Sequence, residues 1–249
     1  MATRRIVELG TAVAAVLLFA LTAPAATPAY AANQRDSELL ARAGEARQVI
    51  VVTAEKMSTS YAQLRAYTRG SDGTWKKSIA NMPARLGSKG LARDRRQSTW
   101  KTPIGTFALP WAFGRKADPG TRLRYVRIDR NDAWPYNPAV PSTYNVFQTA
   151  PHDWKAYGDN VERLWSYGRQ YDYSIVLDYN LPPGPFTTGV NGIRRTEQPA
   201  NTSAGGGIFL HVTNGGPTAG CIAVGEEGMR EILRWLDPAA EPVIVIAVA

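Results

Sequence analysis

Thiol and imidazole are scarce in this chain: its 249 residues hold one cysteine, Cys221, and two histidines, His152 and His211. A lone cysteine excludes an internal disulfide, so stability has to come from an apolar core and from the aromatic side chains. Neither histidine lies in a ligand-spaced motif with the other or with Cys221, so a metal site is not expected; no cofactor is expected either. Long apolar runs are missing after the first residues, and no later segment approaches the roughly 20 residues that a spanning helix needs. Acid is the rarer charge, with 21 Asp and Glu against 29 Lys and Arg and a formal net charge of +8. The positive charges are scattered, apart from Arg93-Asp94-Arg95-Arg96, and no nucleic-acid motif accompanies them. A nucleic-acid partner is therefore not expected. An anionic polymer or headgroup layer suits the charge, and so does solubility alone.

What the chain does have begins at its start. Arg4 and Arg5 precede an apolar run, densest over residues 11–23, and Ala29-Tyr30-Ala31 fits the small-x-small rule for signal cleavage. The run is too short to span a bilayer comfortably, which favours a cleaved signal over residues 1–31 against a retained anchor. Residues 32–47 read as a polar lead-in with a short helical patch, loosely packed. Residues 48–249 are enough for one large domain.

That domain reads as mainly β. Short apolar or alternating segments recur at residues 48–53, 63–68, 122–128, 173–179, 208–211, 221–224 and 243–248. Only residues 225–236 read firmly as helix after the lead-in: Met229, Ile232, Leu233 and Leu236 share one face, and Glu226 and Glu227 occupy the first turn. The expected architecture is a sandwich or barrel-like β domain with that one clear helix. Between residues 133 and 173 lies a long irregular stretch holding Trp134, Tyr136, Tyr144, Trp154, Tyr157, Trp165, Tyr167 and Tyr171. Such stretches serve as binding loops or lids. His152 falls in it and is expected to be exposed.

The chemistry-bearing segment runs from His211 to Cys221. His211 ends one predicted strand and Cys221 opens the next, and Gly215, Gly216, Pro217 and Gly220 allow a tight connection. If the strands pair, opposed residues have Cβ atoms about 5 Å apart, near enough for an imidazole to ionise the thiol. An exported protein with an odd cysteine either bonds another chain or keeps a reactive thiol. Gly220 is expected to clear the approach to the sulfur, and the backbone N–H groups of Gly220 and Cys221 to face a developing oxyanion. The competing reading is a small buried hydrophobe at 221 and a core histidine at 211.

Ile208-Phe209-Leu210-His211, the following Gly-Pro-Thr turn and Thr218-Ala219-Gly220-Cys221-Ile222 resemble the active-site segment of the L,D-transpeptidase catalytic-domain (YkuD-like) family. Thr102-Pro103-Ile104-Gly105-Thr106-Phe107 is similar to the family's upstream Thr-Pro-x-Gly-x-Phe segment, and Asp178-Tyr179-Asn180 to a strand end found before the site in some members. The resemblance spans roughly residues 48–249 in the family's order, and it implies a YkuD-like β fold. It departs at Ala219, where the family has a second histidine, at Ala223, where it has a polar residue, and in the short interval from His211 to Cys221.

What the resemblance implies is an exported cysteine L,D-transpeptidase, secreted to the cell wall or periplasm, that acts on peptidoglycan stem peptides. Cys221 would form an acyl-enzyme, with His211 as general base. The family pattern points to a backbone carbonyl as the group orienting His211; Asp178 is the alternative. Thr218, Tyr179 and Asn180 are the expected substrate contacts, although a turn-stabilising role is the plainer one for Thr218. An L,D-carboxypeptidase of the same mechanism and a non-catalytic wall-binding protein that keeps the fold are the alternatives.

Overall fold

The β-branched run at residues 48–53 does what its composition favours. In the computed structural model, which describes residues 34–149 and 154–249, it forms strand β1, Gln48–Ala54, buried on both faces. The expected signal segment and His152 lie outside the described residues. Nine further strands join β1 in one sheet: β2 Tyr61–Arg69, β3 Trp75–Arg85, β4 Gly105–Ala108, β5 Ala112–Gly114, β6 Tyr125–Arg127, β7 Ser174–Val176, β8 Phe209–Val212, β9 Ile222–Val224 and β10 Val243–Val248. Their spatial order is β4-β10-β1-β2-β3-β9-β8-β7-β5-β6. The architecture is mainly β, as expected.

Alternation along the strands sorts side chains onto two faces. Ile50, Leu64, Ile175, Leu210, Ile222 and Ile246 share one core, although their strands are far apart in the sheet order. The sheet is therefore curled around that core. The expected helix is present as α2, Glu226–Trp235, and it sinks Met229, Ile232 and Leu233 into the same core. On the other face, Phe113, Val176, Phe209 and Cys221 meet Trp134, Phe147, Leu164 and Tyr171. These last four come from the aromatic stretch at 133–173, whose described part holds one short strand pair, Ala133–Pro135 with Val161–Arg163, and several 3-10 turns. Trp134, Tyr144 and Tyr157 are fully buried, so much of this irregular segment is packed wall.

Several expectations change. The lead-in is docked, not loose: α1, Gln34–Leu40, buries Leu39 and Leu40 against Val49, Val51, Tyr67 and Val245. Asp36 on α1 accepts hydrogen bonds from the Arg65 guanidinium and the Tyr67 hydroxyl, and Arg65 also donates to Thr53 Oγ1 at 2.9 Å. The segment at 122–128 is a strand only over Tyr125–Arg127, and that at 173–179 only over Ser174–Val176. β3 has no counterpart in the sequence reading because most of its residues are exposed and it carries Pro83, so no alternation shows.

Candidate active site

β8 and β9 lie side by side and run parallel, with Leu210 facing Ile222, His211 facing Ala223 and Val212 facing Val224. Sequence reasoning places His211 and Cys221 opposite one another. The parallel register instead puts the cysteine beside Phe209, one step before the Leu210–Ile222 pair. Phe209 N–H donates to Cys221 Sγ at 3.4 Å, and the thiol donates to the Gly207 carbonyl at 3.3 Å. Because Leu210 and Val212 point into the main core, His211 shares the opposite face with Cys221. The two are diagonal neighbours on that face.

His211 is buried, and its Nδ1 lies 2.9 Å from the Val212 carbonyl. A carbonyl only accepts, so Nδ1 carries the proton and Nε2 keeps its lone pair. The orienting group is thus a backbone carbonyl. Asp178 is committed elsewhere, accepting the Ala108 N–H at 2.8 Å. The Tyr171 ring meets the imidazole edge-on, with centroids 5.6 Å apart. Ser174 faces His211 across the β7–β8 pair and is fully buried, with no hydrogen-bond partner for its Oγ.

The expected ion pair is not favoured here. Burial among aromatic rings pushes the His211 pKa down to about 4. Burial, reinforced by the charge of Glu162, pushes the Cys221 thiol up to about 12, against weaker opposing pulls from the Phe209 N–H and Arg95. Both groups rest neutral, because a desolvated site disfavours either charge.

Cys221 is 7% exposed, and that exposure opens into a cavity of about 390 Å³. The cavity wall also includes Gly220, Arg95, Glu162, Trp100 and Tyr167. A larger hollow, about 690 Å³, lies against α2 and is lined by Met82, Glu227 and Trp235, but it contains none of these groups. Gly220 serves a different neighbour from the one expected: a Cβ there would come within 2.9 Å of the Lys101 carbonyl and 3.2 Å of Arg95 Nη2. Gly205, on the far side of the guanidinium, would put a Cβ 1.8 Å from Arg95 Nη1. Two glycines therefore make room for a buried arginine, which donates to the carbonyls of Lys101 and Ala204, both at 2.9 Å.

Thr218 holds the turn before the cysteine. Its hydroxyl donates to the Cys221 carbonyl at 2.7 Å and accepts the Gly220 N–H at 3.1 Å. One of the two expected oxyanion donors is therefore already engaged. Thr102, from the Thr-Pro-x-Gly-x-Phe segment, also reaches the Cys221 carbonyl, at 3.4 Å. Tyr179 and Asn180 stand behind the cavity wall. The Tyr179 hydroxyl donates to the Ala204 carbonyl at 2.9 Å, and Asn180 Nδ2 donates to the carbonyls of Asn201 and Gly205 at 2.8 and 2.7 Å. Arg95 and Glu162 escaped sequence reasoning. Arg95 sat in a charge run, Glu162 in the aromatic stretch, and neither has a spacing relation to Cys221.

A curled β-sheet that presents a thiol and an oriented imidazole on one face, with the sulfur opening into a cavity of mixed aromatic and polar lining, defines a single-cysteine β domain. Residues 47–245 match the L,D-transpeptidase catalytic domain (YkuD), and the chain belongs to that family. No curated protein sequence matches it. Among solved structures, the helical cell shape determining protein Pgp2 from Campylobacter jejuni aligns over 86% of this chain and 55% of its own, at 13% identity and a TM-score of 0.36. The chain thus spans about half the length of that protein. No helix among the described residues is long and apolar enough to cross a membrane.

Proposed function

We propose that the protein is an exported cysteine L,D-transpeptidase acting on peptidoglycan stem peptides, with residues 1–31 removed as a signal and the catalytic domain beginning near residue 48. The observation that carries this reading is the pairing of the chain's only thiol, open to a cavity, with an imidazole on the same sheet face whose Nδ1 is fixed by the Val212 carbonyl. Family membership supports the substrate class.

The neutral resting pair determines how the chemistry runs. Cys221 leaves its hydrogen bond to Gly207 and attacks the carbonyl of the amide between the L-centre of the diamino acid and the following D-residue. His211 Nε2 takes the thiol proton as the C–S bond forms, so no free thiolate has to accumulate in a desolvated site. The Cys221 N–H, the remaining donor of the expected pair, faces the developing oxyanion. His211 then protonates the departing amine, which leaves a thioester. An amine of another stem resolves it to a cross-link; water resolves it to a trimmed peptide.

Incubating the mature protein with purified stem tetrapeptide and following products by mass spectrometry tests this. A cross-linked dimer is expected. Free D-residue without dimer would make the protein an L,D-carboxypeptidase, and an unchanged peptide would leave only a wall-binding role.

A further inference from the structure

Glu162 has no part in the acylation half of that scheme, and its setting is unusual. It lies on the short strand Val161–Arg163, facing Trp134 across the pair with Ala133–Pro135, and it lines the same cavity as Cys221. Its Oε2 accepts the Tyr171 hydroxyl at 2.8 Å, and the Tyr136 hydroxyl is its second hydrogen-bonding neighbour. The remaining titratable or charged groups around it are Tyr167, Cys221 and, elsewhere on the cavity wall, Arg95. Arg95 is bound to two backbone carbonyls, and among the described residues no cation forms an ion pair with Glu162. Glu162 is half-buried, and carboxylates drawn out of water are normally paired. This one is held by phenols alone and left open to the cavity.

Its position also works against acylation. A negative charge there raises the thiol, the opposite of what a nucleophilic cysteine needs. A purely structural tie to Tyr171 could be made by a neutral amide at no such cost. What a carboxylate adds is the ability to hold a cation, and the scheme above calls for one cation at this place: at neutral pH the acceptor amine arrives as an ammonium.

We infer that Glu162 is the ammonium-binding and proton-accepting residue for the acyl acceptor, seating a primary amine beside the Cys221 thioester. The inference rests on the reading of Cys221 as the acylated residue. In the balanced step, the ammonium gives one proton to the Glu162 carboxylate and becomes a free amine. Its nitrogen attacks the thioester carbonyl, so a C–N bond forms and the C–S bond breaks. The second nitrogen proton passes through His211 to the departing sulfur, restoring the thiol, and Glu162 releases its proton to solvent. Tyr171 touches both ends of this path, bonded to Glu162 and edge-on to His211. Burial holds the Glu162 carboxyl at about 7, so it exchanges a proton readily near neutrality.

The test has two arms. In the first, the Cys221→Ala protein is titrated with Nα-acetyl-lysine methylamide, a primary ammonium without a carboxylate, and with its Nε-acetylated counterpart, while aromatic ring resonances are followed by NMR. Only the ammonium form should bind, and Glu162→Gln should weaken it at least tenfold. Equal binding of both probes, or affinity unchanged in Glu162→Gln, overturns the proposal. In the second arm, wild type and Glu162→Gln are given stem tetrapeptide, and dimer and acyl-enzyme are quantified against pH. The dimer-to-acyl-enzyme ratio should fall at least tenfold in the variant, and the rise in dimer formation through about pH 7 should disappear. Equal losses in both quantities would mark Glu162 as merely structural and overturn the proposal. If wild type forms no acyl-enzyme, the transpeptidase reading fails, while the first arm still decides whether Glu162 binds ammonium.

Discussion

At Cys221 two demands pull apart. The proposed chemistry calls for a nucleophilic sulfur, whereas the surroundings favour a protonated one: Phe209, Phe113 and Tyr171 share its cluster, and Glu162 adds a negative charge. Sequence reasoning singled out these two residues because their types are diagnostic and the chain offers few others. It expected an acidic thiol because it placed the side chains face to face, whereas the parallel register makes Ala223 the residue opposite His211. The sign of the pH dependence reverses accordingly. A thiol raised to about 12 is almost fully protonated at neutrality. Its alkylation by iodoacetamide should be slower than that of a free thiol at neutral pH and should still be climbing above the ordinary thiol value of about 8.5. A rate that levels off near neutrality would mean a preformed thiolate and would contradict the neutral-pair mechanism. Arg95 and Glu162 were invisible at this scale because what they do depends on folding segments far apart in sequence around one cavity.

Among the elements, the strongest local patterns carried over. β1, β10 and α2 follow from β-branched runs and from one helical face, each written in consecutive residues. β3 left no such trace, since its hydrogen-bonded edges, not a buried face, hold it between β2 and β9. α1 is the instructive miss. A short polar helix looks loosely attached, yet Asp36 reaches the Arg65 guanidinium, and two leucines seal the contact. Burial alone would raise the Asp36 carboxyl, but the hydrogen bonds from Arg65 and Tyr67 outweigh it and hold the pKa below the usual range. Since the folded value is depressed, the stabilisation is present above the unfolded value near 3.9 and is lost as pH falls through the folded one. Asp36→Ala should destabilise the domain by about 3–5 kcal/mol at neutral pH, as expected when one partner of a buried pair is removed. Urea unfolding read by tryptophan fluorescence measures this, and the gap to wild type should narrow in acid. A change below about 0.5 kcal/mol would mean that α1 contributes little to the fold.

For the molecule as a whole, the curled sheet divides its labour between two faces. One carries the main aliphatic core and α2, while the other carries Cys221, His211 and the aromatic wall from residues 133–173. That separation lets the site hold polar groups such as the buried Ser174 and His211 and the half-buried Glu162 without interrupting the core that stabilises the sheet. Without the proposed signal the chain keeps a formal charge of +7, one less than the +8 of the full sequence, and any binding to an anionic polymer should weaken as salt is added. The central claim is that Cys221 carries the acyl group and His211 moves its proton. Acid-quenched reactions with stem tetrapeptide, read by intact mass and peptide mapping, test it most directly. The account predicts an adduct on Cys221 equal to the acyl group left when the terminal D-residue departs, absent in Cys221→Ala and formed about 100- to 10,000-fold more slowly in His211→Ala. Peptide turnover with no adduct on Cys221, or an undiminished rate in His211→Ala, would contradict it.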